Sequence, residues 1–197
     1  MKNYIAFFLI VFIIVSLYTI KSQKIENDST KEYVFSKLKD EFKLAGYFLN
    51  TAQKQYYKKL DKKQKWQFLK LFWESNDPNP ITPENEFLVD LIQKINYCNA
   101  HFSHFKEGWK TDIGRVYLRY GEPFEIIKGN TSVSTKHVIK EYQIWKYRIK
   151  SYSTYIFLNS QMNGNFRLIY SEGDEKESSI PDWESYLGSD FDYNELE

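Results

Sequence analysis

Apolar positions in this chain change their spacing twice, and each change marks a different kind of element. Residues 4–20 are almost continuously apolar, broken by Ser16 and Thr19, and Lys2 precedes them. A spanning helix needs about 20 such residues and the core of a signal peptide roughly 7 to 15, so this run lies between the two. Residues 1–22 read as an export signal, with Ser22 as the small residue before a cut, or alternatively as a retained membrane anchor. Either reading puts the body outside the cytoplasm. No cysteine follows the run, which excludes lipidation there. Residues 23–31 are a polar linker.

From Glu32 onward the apolar spacing becomes helical. Val34, Leu38, Phe42 and Leu44 predict a helix over 32–48, and Asn50 is placed to cap a second helix over 51–60. Asp61 caps a third over 62–75, whose Trp66, Leu69, Phe72 and Trp73 predict one aromatic face. Pro78, Pro80 and Pro83 then impose a turn loop. Thr82 and Pro83 are placed to cap and open a fourth helix. Its Leu88, Leu91, Ile92, Ile95, Cys98, Phe102 and Phe105 recur every three or four residues, and it is expected to end near Gly108.

Beyond Gly108 alternation with period two takes over. RVYLRY (115–120) reads as a half-buried strand and 128–135 as a loop. In 141–149, Trp145, Tyr147 and Ile149 share one face, with Ile144, Lys146 and Arg148 on the other. Strand patterns on either side of Asn163-Gly164 predict a hairpin. Helices followed by strands predict an α+β class: N-terminal helices packed on a C-terminal antiparallel β meander of three to four strands, spanning 32–170.

Composition refines this picture in three ways. Hydrophobic residues make up 42% and aromatics 18%, enough to build a core and to argue against disorder. The net charge of +1 conceals a division: residues 171–197 hold ten acids and one lysine, net −9, which leaves +10 on 1–170. This acidic tail is expected to be poorly ordered, with Trp183 and Tyr186 as docking residues. The lysines of 54–70 read as a solvated helix face that the tail partly neutralises, and no motif points to nucleic acid. Cys98 is the sole cysteine, so it forms no internal disulfide and reads as a small core residue.

Gly108-Trp109-Lys110-Thr111-Asp112 matches the motif that names the GWxTD domain family. LKLFWESNDPNPITPENE upstream, with Trp73, Asp77, Asn85 and Glu86, and GRVYLRYGEP downstream, with Gly114, Arg115 and Gly121, resemble that family's flanking blocks. The resemblance covers residues 45–170. It implies an exported bacterial protein, often of the Bacteroidetes type, and no particular activity. This chain departs from the family pattern at Ile113, where an arginine is common, which leaves Arg115 to serve any role of that arginine.

The signature has a structural account. Gly108 would end the long helix in a left-handed conformation, and Trp109 would cover a seam between helix and sheet. Thr111 and Asp112 would bond turn amides, and Gly114 would allow close approach. Arg115 would pair with Asp112 or Glu86. The functional account instead gathers Asp77, Asn85, Glu86, Asp112 and Arg115 in one cleft. The Asp77 and Asp112 loops lie at opposite ends of one helix, roughly 30 Å apart at about 1.5 Å per residue, so two smaller sites are expected.

Metal and cofactor sites are not expected. Asp77, Asn79 and Glu86 match no calcium-loop spacing, and His101 and His104 lack a zinc motif. No catalytic loop or elbow motif occurs. The expected function is a non-enzymatic envelope module, periplasmic or outer-membrane-associated, that binds a protein or polymer through surface aromatics such as Tyr142, Tyr152, Tyr155 and Trp183. If residues 4–20 are retained, it is anchored in the inner membrane and faces the periplasm. The alternative is a hydrolase of envelope glycan or peptide that uses Asp112 with Glu122 or Glu86.

Overall fold

The computed structural model describes residues 38–131, 139–148 and 152–196. Residues 1–22, expected to be a signal or anchor, the linker, His137, Ile149 and half of the 128–135 loop therefore lie outside the described residues. The chain divides into two units, 1–41 and 42–197. Of the first, only Leu38–Glu41 are described, as the opening of helix α1 (Leu38–Ala45).

In the second unit, α2 (Thr51–Lys58) and α3 (Lys62–Ser75) form as the caps predict. Asn50 and Asp61 each accept the backbone N–H three residues on, and Gln53 and Gln64 return the bond. On α3, Leu69 and Trp73 are buried, whereas Trp66 stays 41% exposed, so the aromatic face is only partly a core face. Helix α4 (Glu86–Phe102) is capped by Asn85, not Thr82, and stops six residues before Gly108. The Asn85 side chain accepts the Leu88 N–H at 3.0 Å and donates to the Trp73 carbonyl at 2.9 Å, clamping α4 onto the end of α3. Thr82 instead donates to the Asn79 carbonyl and to Glu86.

Residues 115–120 form no strand. Asp112–Tyr120 is a helix, α5, with Thr111 as its N-cap. A six-residue aromatic and β-branched run satisfies a period of two and one of 3.6 equally well. The cap and Ile113 decide between them, because Ile113, Val116 and Tyr120 then fall on one face. The first strand comes later, at β1 (Glu125–Asn130), and takes in the first three residues of the segment expected to be loop. It is followed by β2 (Glu141–Arg148), β3 (Tyr152–Leu158) and β4 (Arg167–Glu172). All neighbours pair antiparallel in the order β1-β2-β3-β4, so the α+β class with a four-stranded meander stands. A bulge offsets β4 where Ile156 meets Tyr170 and Phe157 meets Leu168. The Asn163-Gly164 hairpin forms, with the Asn159 side chain accepting both of their backbone N–H groups at 3.1 Å.

Both faces of the sheet are buried. On one face, Trp145, Tyr147, Tyr155, Phe157 and Leu168 pack with Ile113 and Val116 of α5. On the other, Tyr142, Ile144, Ile156, Leu158 and Ile169 pack with Leu187 and Phe191 of the acidic tail. The tail is thus ordered through residue 196 and forms a third layer, with Ile180, Trp183 and Leu196 packed at its margin. Its apolar residues recur every three to five positions and point inward, leaving most of its acids in solvent.

Candidate functional site

The GWKTD segment joins α4 to α5, two helices, rather than a helix to a strand. Gly108–Lys110 makes one 3₁₀ turn that lies against the C-terminal part of α4. A Cβ on Gly108 would come within 3.0 Å of the Cys98 carbonyl and the Asn99 nitrogen, so only glycine fits. Gly108 does not take the left-handed conformation; close approach alone requires it. Gly114 backs onto the Gly108 carbonyl equally tightly. Thr111 ties the corner together: its hydroxyl accepts the Gly114 N–H at 3.0 Å and donates to the Gly108 carbonyl at 2.6 Å. Burial pushes the Cys98 thiol up to about 12, and the thiol points at the Gly114 carbonyl as a core group.

Trp109 is buried beside Tyr47, with Lys110 over its ring at 4.8 Å, so it seals the helical side of the corner and not a helix–sheet seam. Gly121 ends α5 at φ +74°. Ile113 is buried in the helix–sheet core.

Asp112 is engaged through both oxygens. One accepts the Leu168 N–H of β4 at 3.0 Å and the other pairs with Arg115 at 3.0 Å. Arg115 reaches Glu177 in the tail, not Glu86, with two hydrogen bonds of 2.8 and 2.9 Å. Burial alone would lower the Arg115 pKa, but the bonds and charge of Glu177, with Asp112, outweigh it and hold the guanidinium more firmly charged. One turn on, Arg119 bonds Glu177 at 2.6 Å and Asp174 at 3.2 Å, and the Tyr155 hydroxyl donates to Asp174 at 2.8 Å. Arg119, Asp174 and Glu177 are almost wholly buried. This network latches the start of the tail to α5. Reading 115–120 as a strand hid it; read as a helix, Arg115 and Arg119 stand four apart on one face.

The remaining predicted residues gather elsewhere. Asp77, Asn85 and Glu86 meet at the opposite end of α4 from Asp112 and Arg115, so no single cleft forms. The Thr82 hydroxyl holds the Glu86 carboxyl below its usual range, with Asp77 alongside. Among the described residues no group of three His, Cys, Asp or Glu side chains is placed to hold a metal ion.

A family model matches residues 16–179. The chain belongs to the GWxTD domain family. The match runs past Glu177, so it includes the arginine-latched start of the tail. No curated protein and no solved structure gives a significant match to the chain.

The signature corner also builds a wall of open space. A hollow of about 220 Å³ lies between the end of α4, β2 and the β3–β4 hairpin, with Thr111 and Ile113 among its lining residues. His104 continues it into a shallow groove of about 460 Å³ past Phe105 and Lys110. The hollow holds several unused polar groups. Gln143 spends its carbonyl on the Trp145 indole N–H at 3.0 Å, and its amide donors have no partner among the described residues. Asn165 makes no side-chain hydrogen bond among the described residues. His101 directs Nδ1 to the Tyr97 carbonyl at 2.8 Å, which leaves Nε2 available. Beside the groove, Phe105 is 87% exposed, and the Lys110–Glu107 pair is internally neutral. Neither Asp112 nor Arg115 lines either space. Sequence reasoning assigned Phe105 to the helix core and passed over Gln143 and Asn165; their only signal is their closeness in space. Of the four aromatics proposed as contacts, Tyr142 and Tyr155 are buried, Trp183 packs on Tyr170, and Tyr152 is 66% exposed.

Proposed function

We propose that this GWxTD protein is an exported, non-enzymatic envelope module that binds an extended, uncharged polar polymer along the trough beside its signature corner. The single observation that supports the reading is the hollow and the neighbouring groove, which share His104, present carboxamide and imidazole groups and border the solvent-facing Phe105. Mixed donors and acceptors, with Lys106 as the one cation at the groove without an acidic partner among the described residues, suit hydroxyl- or amide-rich chains, and an exposed ring offers a stacking platform. The apolar run at 4–20 supports export to the periplasm or the outer membrane. In a carboxylate hydrolase Asp112 would stand free in a cleft, whereas here Leu168 and Arg115 occupy it.

Affinity electrophoresis of the full chain through gels cast with a neutral glucan, an acidic polysaccharide or neither tests the proposal. Retardation is expected in the neutral gel, reduced at least about tenfold in affinity by Phe105→Ala and by Asn165→Ala. Equal mobility in all gels, or retardation that both variants retain, refutes binding in the trough. Release of reducing ends from the glucan would favour the hydrolase.

A further inference from the structure

Among the described residues no acid of the tail forms an ion pair with a lysine of α2 or α3. The tail's buried acids, Asp174 and Glu177, are spent on Arg119 and Arg115, and most of the others lie beyond the sheet, on the face that the helices do not cover. Between Thr51 and Ser75 the chain holds seven lysines and two acids: Asp61, whose carboxylate is committed to the Gln64 N–H at 2.8 Å, and Glu74, which lies 3.9 Å from Lys70. Lys54, Lys58, Lys59, Lys62 and Lys63 are exposed, and among the described residues none of them has an acidic partner.

Two of these positions violate a local rule. Lys62 and Lys63 occupy the first turn of α3, where the helix dipole presents positive charge and the N-cap Asp61 is the one acid beside them. A rule broken without a folding benefit is where a functional surface is expected. Along α3, Lys63, Trp66, Gln67 and Lys70 recur at three- and four-residue spacing and so share one face, with the indole of Trp66 41% exposed among the ammonium groups. Cationic side chains around an amphipathic ring match the interface of an anionic bilayer, where lysine meets headgroup charge and indole sits at the apolar boundary. The apolar run at 4–20, read as an export signal or anchor, would bring the chain to a bilayer.

We infer that the α2–α3 hairpin, centred on Lys62, Lys63, Trp66 and Lys70, docks the body onto an anionic phospholipid surface, with the acidic tail facing away. The tail's charge repels the same headgroups, so only one orientation is favourable. This proposal does not depend on the trough.

The test uses the full chain on vesicles, with a fluorophore at Gln67→Cys or at Ser189→Cys in the tail; native Cys98 is buried and unreactive. Vesicles of phosphatidylcholine alone or with phosphatidylglycerol carry a headgroup quencher. Any insertion of the apolar run is common to both vesicle types, so the readout is local to each label. Strong quenching at position 67 is expected only with phosphatidylglycerol, lost in high salt, with position 189 unquenched in every case. The K62Q/K63Q/K70Q variant should lose the quenching at 67 while the chain stays on the vesicles. Equal quenching at 67 in both vesicle types, or equal quenching at 67 and 189, overturns the inference. So does preferential transfer of this face to a short single-stranded RNA, which would make it a nucleic-acid surface.

Discussion

Replacing Gly108 by alanine isolates the claim that the signature is architecture. The added methyl would come within 3.0 Å of Cys98 O, Cys98 C and Asn99 N, all backbone atoms of α4 that cannot rotate away. Ordinary carbon contacts need about 3.5 Å, so relief requires the 3₁₀ turn and α4 to separate by an ångström or more. That separation stretches the Gly108 N–H bond to Ser103, now 2.8 Å, and the Thr111 bridge at 2.6 Å. Overpacking of well-packed sites costs about 1 to 3 kcal/mol, and a backbone-only clash belongs at the upper end, about 3 kcal/mol. Gly121→Ala is the control. Its φ of +74° strains any side chain, but its nearest neighbour is the flexible Lys94 Cε at 3.6 Å, so the cost is strain alone, about 1 to 2 kcal/mol. Urea unfolding followed by tryptophan fluorescence gives both values on the same chain. A Gly108→Ala cost below about 0.5 kcal/mol, or below that of Gly121→Ala, would refute the reasoning, because the corner would then be able to move without penalty.

Asp112→Ala removes the acceptor for Leu168 N–H and one partner of Arg115 at a quarter-exposed site, so it is expected to cost about 2 kcal/mol in urea unfolding. Asp112→Asn should recover part of that by keeping the bond to Leu168, and equal losses for the two variants would contradict the dual role. Deleting 180–197 uncovers Tyr142, Ile144, Ile156, Leu158 and Ile169, each stabilising by about 1.5 to 3 kcal/mol when buried. The sum rivals the whole stability of a domain, so the truncated chain should bind a hydrophobic dye and lose its cooperative melt; a retained melt would show the tail to be dispensable. Burial pushes the Tyr47, Tyr117 and Tyr170 hydroxyls up to about 12. Their unfolded values lie near 10, so the folded state holds these protons longer. Stability is therefore fully present below about pH 10 and lost as pH rises towards about 12. A tyrosinate absorbance titration should lag behind that of free tyrosine until unfolding, and complete ionisation near pH 10 with the fold intact would oppose this.

Elements whose signals are local were legible in the chain before folding. The Asn50 and Asp61 caps form as read, because each needs only its own backbone and the residue three positions on. The alternation in 141–149 assigned Trp145 and Tyr147 to one face of the sheet and Ile144 to the other, as observed. The ordered blocks around GWKTD were sufficient to place the family. Tertiary structure decided the rest. RVYLRY fits two periods, and only burial of Ile113 and Val116 under the sheet selects the helix. The tail looks disordered by charge, yet its sparse apolar residues meet a sheet face that nothing else among the described residues covers. Arg115 finds Glu177 62 residues away, and the trough assembles Gln143 and Asn165 beside His101. Periodicity and capping act over one or two turns of chain, whereas long-range pairing depends on which surfaces remain to be buried once those turns have formed.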